Sequence, residues 1–426
     1  MVPYFTPVWG DIPTTRWRIH PLPFKPGGVF CCRDKSLPPF ERRGLHEETE
    51  MKGVVFFSDL KVGSKTLLNK LDALLDHTNL KEKIKERDLV AIKLHFGEKG
   101  NTAFIRPIFL RRVVDWVKQY KGKPFLTDTN TLYRGMRQEA ISHLTNAYQN
   151  GFTYSVVDAP ILIADGLRGN SAIKVTIDKP HFKTVSIAHA IYMADVLICV
   201  THFKGHELSG FGGSLKNLGM GCASREGKLS QHSNISPRVE AKVCKGCELC
   251  LTTCAQDAIS MHPPKAEIES KPMTAFVDPK KCVGCGECIL TCPTGAIQIQ
   301  WNETIPIFQK KMVEYACGAV QKKKGKVLFL NFLTQISPAC DCWGFSDTPI
   351  VNDIGILCSE DPVAIDQASV DLVNGQEGNR SSKLPKHWTP GEDKFRALYP
   401  KVDWSIQLAY GEEIGLGTRE YELIKI

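Results

Sequence analysis

Residues 88–129 read DLVAIKLHFGEKGNTAFIRPIFLRRVVDWVKQYKGKPFLTDT. The run DLVAIKLHF is a short apolar stretch that reads as a strand. FIRPIFLRRVVDWVKQY sets apolar residues three and four apart, the period of a helix with one buried face, and KPFLTDT returns to a strand. Strands that alternate with helices argue for a mostly parallel sheet with helices on its faces.

Outward from this stretch the texture persists. Before it come GVVFFSD as a strand and KTLLNKLDALLDHT as a helix. After it, RQEAISHLTNAYQNG, YSVVDAP, SIAHAIYMA and DVLICVTHF continue the alternation to about residue 235. Beyond residue 300 it resumes with PIFQKKMVEYACGAVQKK as a helix, GKVLFLNFL as a strand and DIGILCSEDPVAIDQASVDLV as strand, turn and helix. In that last stretch Pro362 suits the first helical position, so DPVAID is read as structural. The expected class is α/β, with a segment inserted into or docked between two parts of one domain. Ligands of such sheets sit outside the carboxyl ends of the strands. Here those ends run into HFGEKGNT, TDTNTLYRG and THFKGHELSGFGGSLKNLGMG.

The intervening segment carries two cysteine combs, CKGCELCLTTC from Cys244 and CVGCGECILTC from Cys282. The spacing C-x2-C-x2-C-x3-C is that of a bacterial-type two-cluster ferredoxin, in which the fourth cysteine of each comb serves the other cluster. Cys244, Cys247, Cys250 and Cys292 are therefore expected to hold one [4Fe-4S] cluster, and Cys282, Cys285, Cys288 and Cys254 the second. Zinc and disulfides are the competing readings, and zinc sites do not use a doubled three-plus-one comb. Pro293 follows the second comb, whereas Ala255 follows the first. The 27 residues between Cys254 and Cys282 exceed a minimal ferredoxin, and the excess reads as a surface hairpin.

These readings divide the chain into an N-terminal appendage (1–50), a first α/β part (51–235), an α+β ferredoxin-like module (236–300) and a second α/β part with a C-terminal tail (301–426). The appendage holds 8 of the 25 prolines and shows no sustained periodicity, and Met51 opens a strand pattern, so a mispredicted start is one expectation. Cys31 and Cys32 in it are assigned no role. The 426 residues, 42% apolar and 23% charged, are of ordinary globular composition. No apolar run approaches the roughly 20 residues of a membrane span. The first residues lack the basic and apolar regions of a secretory signal. Metal-type combs need a compartment that keeps thiols reduced, so the cytoplasm is expected. A net charge of +8 is a mild bias toward anionic partners, and without a basic block interleaved with aromatics nucleic acid is not an expected one.

The densest polar loop is residues 201–232, with His202, Lys204, His206, Lys216, Asn217, Cys222 and His232 among seven glycines. Glycines let backbone amides approach a ligand, and the lysines and histidines supply cationic or metal-binding groups; the alternative is a solvated glycine-rich loop. THFKGHELSGFGGSLKNLGMG, HFGEKGNT and DIGILCSEDPVAID resemble the signature segments of iron-sulfur-centre proteins grouped as domain of unknown function 362, over about residues 52–375. That resemblance implies an embedded ferredoxin module and names no reaction. A weaker similarity is to the lactate racemase family, whose cofactor-bearing Lys lies ten residues after a His and sixteen before a nickel-ligating His. His206, Lys216 and His232 have those spacings, and Gly210 matches a glycine. The family's Ser-Gly-Gly is shifted here to Gly212-Gly213-Ser214, and its Pro-Gly after the lysine is replaced around GMG, so a nickel cofactor does not follow.

The expected site comprises His206 as main acid/base near its reference pKa of about 6.5, Lys216 as holder of an anionic group or second, unidentified cofactor with Gly212 and Gly213, His232, and His95 as proton donor. Asp128 and Asn130 read as Asx-turns or a cation site. Cys340 and Cys342 flanking Asp341 read as locally hydrogen-bonded thiols or extra ligands, and Cys199, Cys317 and Cys358 as core. Three functions remain open. The first is an oxidoreductase passing single electrons from two clusters to a small anionic substrate or cofactor. The second is an electron-transfer subunit docking an electron donor or acceptor protein, and the third a racemase-like enzyme with structural clusters.

Overall fold

Eight extended segments join one sheet in the computed structural model, which describes residues 52–63, 65–233, 236–263, 273–300, 302–323 and 325–426. The expected appendage at 1–50, with Cys31 and Cys32, lies outside the described residues. The strands are β1 (Gly53–Asp59), β2 (Leu89–Lys93), β3 (Lys123–Asp128), β4 (Ile161–Ile163), β5 (Val196–His202), β6 (Val327–Leu333), β7 (Gly355–Ser359) and β8 (Tyr421–Lys425). Their order across the sheet is β8-β1-β7-β6-β5-β2-β3-β4, every neighbouring pair parallel except the two that β7 makes with β1 and β6. The class is α/β with a mostly parallel sheet.

Helices cover both faces, which is why the central strands are apolar throughout rather than alternating. Along β5, Leu197 and Cys199 enter one core and Val196, Ile198 and Val200 enter the other. The first core is closed by α4 (Ser214–Gly219), α5 (Ile305–Gln321) and α6 (Pro362–Asn374), through Leu215, Val313 and Val363. The second is closed by α1 (Leu67–Asp76), α2 (Pro107–Gln119) and α3 (Ala140–Gln149), through Leu71, Leu110 and Ala147. Burying each such aliphatic side chain is worth about 1.5–3 kcal/mol. Asp361 caps α6 by accepting from the amides of Val363 and Ala364, with Pro362 at the first turn.

Three elements depart from the alternation, one being SIAHAIYMA, whose first residues end a strand, Thr184–Ala188, paired antiparallel with Ala172–Thr176 before the short helix His189–Met193. YSVVDAP, whose place implied a strand, forms a helical turn at Tyr154–Val157, and the strand follows at Ile161–Ile163. β7 runs against its neighbours because no helix lies between it and β6. Without a crossover the chain re-enters the sheet from the edge at which it left.

The comb segment builds its own small arrangement. Arg238–Val239 pairs with Ile297–Gln298, and Ile259–His262 with Thr274–Val277, all antiparallel. The second pair is the two ends of the long spacer, so the expected hairpin has its paired arms; its residues 264–272 lie outside the described ones. Short helices Leu249–Thr253 and Glu287–Thr291 lie within the combs and carry the third cysteine of each, Cys250 and Cys288, and Ile259, Val277, Ile289 and Ile297 share an apolar cluster. No helix among the described residues is long and apolar enough to cross a membrane.

Candidate functional site

The loops leaving the carboxyl ends of β2, β3, β5 and β6, four adjacent strands, line a cavity of about 710 Å³. His95, His206, Lys216, His232 and Gly213, singled out from sequence, all line it. Gly212 sits behind Lys216, where an added Cβ would come 3.2 Å from the Lys216 Cδ. Lysines and arginines in the lining number seven, among them Lys93, Arg137 and Lys228, against three carboxylates, Glu98, Asp128 and Glu207. That imbalance suits an anionic ligand.

Local chemistry places these side chains. After β5 the chain makes a tight hairpin, Lys204–His206 against Gly210–Gly212. Gly205 is required there because a Cβ would lie 2.0 Å from the Pro338 carbonyl oxygen. The amides of Ser214 and Leu215 then donate to the buried Asp366 carboxylate at 2.7 and 2.9 Å, which orients α4 and aims Lys216 and Asn217 at the cavity. Gly213 leaves room for that carboxylate, whose pKa burial pushes up to about 6.

All three cavity histidines are held toward the neutral form. The Nδ1 of His206 accepts from the amides of Leu208 and Ser209, both at 3.2 Å, so its neutral ring carries the proton on Nε2. Burial, then Lys216, keeps its pKa well below the ordinary value. This corrects the expectation of titration near neutrality: among buried cations His206 offers an N–H rather than a proton shuttle. Burial and Arg137 likewise lower His95, whose Nδ1 accepts from the Gly97 amide at 3.0 Å. His232 stacks on Phe308 with ring centres 4.8 Å apart, and burial with Lys216 and Lys228 brings it down to about 3. Lys216 stays charged against the cost of burial because the thiols of Cys340 and Cys342 and the Glu207 carboxylate lie near; its Nζ is 3.4 Å from the Cys340 Sγ.

Sequence reading missed the ion-pair network in the floor. Lys93 pairs with Asp128 at 2.9 Å and donates to Asn217 at 2.7 Å, while Arg137 bridges Asp128 and Glu98, each at 3.2 Å. Burial raises the Asp128 pKa, but Lys93 and the nearby His143 ring, 3.7 Å away, hold it well below the carboxylate range. Asn130 binds Asp165 through its amide and side chain. Neither Asp128 nor Asn130 is a simple turn residue, which corrects that reading. The available signal was Lys93 itself, a charge inside an otherwise apolar strand. Asp341 is gripped by the His202 Nδ1 at 2.9 Å and lies 3.5 Å from the Lys204 Nζ. Cys199 and Cys358 are buried in the cores, and Cys317 is half-buried.

The comb thiols gather in two sets. Cys244, Cys247, Cys250 and Cys292 line one small cavity with Met261 and Ile297. Burial raises the Cys288 thiol, and the neighbouring thiols of Cys285, Cys282 and Cys254 raise it further. The backbone repeats between the combs. Gly246 and Gly284 have φ of 65° and 73°, and Glu248 and Gly286, which start the short helices, 60° and 72°. The amides of Ala258 and Ala296 donate to the sulfurs of Cys254 and Cys292 at 3.4 and 3.2 Å. Such donors favour a thiolate, the form a metal needs. Among the described residues no three His, Cys, Asp or Glu are arranged to hold one metal ion. A mononuclear tetrahedral site draws its sulfurs to about 3.8 Å of one another, whereas a cubane with a thiolate at each corner iron needs a wider cradle.

The module abuts the cavity. Leu132, in the lining, belongs to the module's apolar cluster, and the side chain lies 3.0 Å from where a Cβ on Gly286 would stand. Arg134, also in the lining, donates to the Pro293 carbonyl at 3.4 Å. Arg225 ties the same face through an ion pair to Glu287 at 2.5 Å.

No curated protein matches this chain. The solved lactate racemase apoprotein from Thermoanaerobacterium thermosaccharolyticum is similar at 13% identity and a TM-score of 0.36, covering 66% of this chain and 51% of that one. The chain thus spans about half the length of that protein, and so slight a likeness carries no argument about its site. Residues 90–371 match the family described as "Domain of unknown function (DUF362)". That span runs from β2 through the cavity loops, both combs and most of α6, and the chain belongs to the DUF362 family.

Proposed function

We propose that this protein is an iron–sulfur oxidoreductase: the eight comb thiolates hold two [4Fe-4S] clusters, and the cavity holds a small anionic substrate or second cofactor. The observation that carries the reading is the shared wall, in which Leu132 and Arg134 line the cavity on one side and touch the comb segment on the other. Bound clusters would supply electrons one at a time. The chain's own groups do the rest. Lys216 and Arg137 attract the anion, the Nε2–H of His206 donates to a developing negative charge, and Lys228, lowered to about 8 by burial, is the group best matched to give up a proton near neutrality. Leu249 and Val283, exposed beside Cys247 and Cys285, offer a contact for a protein electron donor. Such a protein belongs in a compartment that keeps thiols reduced, the cytoplasm.

The test begins with anaerobic purification and counting of iron and acid-labile sulfide. About eight irons are expected; fewer than about four after reconstitution would refute the cluster assignment. Reduced protein is then screened against small carboxylates and unsaturated or quinone-like acceptors. Lys216→Ala and His206→Ala should keep their iron yet lose turnover, and full activity in either would remove the cavity from the reaction.

A further inference from the structure

We infer that Cys340 and Cys342 are a redox-active dithiol in the wall of the cavity, one that exchanges an electron pair with a small dialkyl disulfide entering there. The inference needs neither the clusters nor the anionic substrate.

The loop joining β6 to β7 builds the pair. The Trp343 amide donates to the Cys340 carbonyl at 3.1 Å, a turn that draws residues 340 and 342 within the span a disulfide bridges. Asp341 between them is engaged by His202, leaving the two thiols as neighbours on either side of it. Cys342 lines the cavity, while Cys340 is buried behind it with the Lys216 ammonium 3.4 Å from its sulfur. The loop is pinned: the Tyr133 hydroxyl donates to the Cys342 carbonyl at 3.2 Å, the Glu98 amide to that of Asp341 at 3.2 Å and the Asn101 side chain to that of Trp343 at 3.3 Å. The neighbouring Cys342 thiol, with Lys216 and Lys204, offsets burial and holds the Cys340 thiol well below its ordinary value, whereas the Cys340 sulfur and burial raise Cys342. A thiolate beside a lysine with a second thiol in reach is the arrangement of reactive rather than structural cysteines.

The exchange balances. The Cys342 proton passes to the Cys340 thiolate as the Cys342 sulfur attacks the small disulfide RSSR, giving a mixed disulfide at Cys342 and RS⁻. That RS⁻ takes the proton back from Cys340 and leaves as RSH. The Cys340 thiolate then attacks the Cys342 sulfur, closing the Cys340–Cys342 disulfide and expelling a second RS⁻. The dithiol loses two electrons, and RSSR gains them.

The experiment exposes the full chain, kept anaerobic, to 2-hydroxyethyl disulfide, quenches with acid, alkylates and maps peptides. We expect Cys340 and Cys342 to be protected together, the peptide two hydrogens lighter, and both alkylated again after dithiothreitol. Cys340→Ser should trap the mixed disulfide on Cys342, and Lys216→Gln should slow closure of the disulfide at least about tenfold. Full alkylation of both thiols after the oxidant, or a trapped adduct on Cys340 in Cys342→Ser at the rate seen on Cys342, would overturn the inference. Because neither residue belongs to the combs, iron content reports separately on the proposed oxidoreductase.

Discussion

Replacing Lys93 with Met keeps the length of the side chain and removes its charge, which isolates the contribution of the cavity-floor ion pair. Lys93 and Asp128 are 1% and 4% exposed at the side chain and 2.9 Å apart. At an effective dielectric of about 20 the gross attraction is about 6 kcal/mol. Desolvation consumes much of that, and breaking such a buried pair from one side costs about 3–5 kcal/mol. Arg137 remains 3.2 Å from the same carboxylate, which points to the lower end, about 3 kcal/mol. For a folded unit of about 375 residues the unfolding entropy is about 0.8 kcal/mol per degree, so the melting temperature should fall by about 4 °C. The pH dependence follows from Asp128. Its folded pKa is depressed, so its contribution is present above the unfolded value of about 3.9 and fades as the pH falls below it. The gap between wild type and Lys93→Met should therefore be full at pH 7 and close toward acid pH. Adding Asp128→Asn should recover at least half of the loss, since no charge is then stranded. Thermal melts from pH 2 to 8 check both statements. A variant within about 0.5 kcal/mol of wild type at pH 7, or a double variant less stable than the single, would refute the reasoning.

Gly205→Ala places a methyl 2.0 Å from a backbone oxygen, so the hairpin carrying His206 must move by about 1 Å. Destabilisation by about 1–3 kcal/mol is expected, with turnover of any substrate found for the cavity down about a hundredfold; unchanged melting and activity would show that the loop yields freely. Asp366, raised to about 6, makes a contribution that is full below about pH 4 and is lost as the pH rises through about 6. Asp366→Asn should flatten stability across that window, and superimposable pH profiles would contradict the assignment.

The strands were legible because burial on both faces leaves long apolar runs, and the site's location because polar loops follow those runs at one edge. That five candidate residues line a single cavity could only be expected in general terms, for the order β6-β5-β2-β3 depends on pairings between distant segments. The network of Lys93, Asp128 and Arg137 was hidden for the same reason: Lys93 signals a buried charge, but its partner is 35 positions away on another strand. Protonation was less legible still. His206 has the spacing of an acid/base residue, yet two amides on its Nδ1 and the neighbouring Lys216 decide which proton it carries. Leu132 offered no signal at all, being an ordinary apolar residue whose importance is its place between the cavity and the comb segment.

The contact between His232 and Phe308, seconded by a 3.0 Å hydrogen bond from Ser233 to Asn302, joins the point where the chain leaves the α/β domain to the point where it returns. Everything between is a closed excursion, clasped at its neck. In architectural terms such a neck makes the comb segment an insert whose two ends meet, so the strands before and after it join one sheet. It also means that the clasp and the cavity share a histidine, so the inserted segment begins beside the cavity.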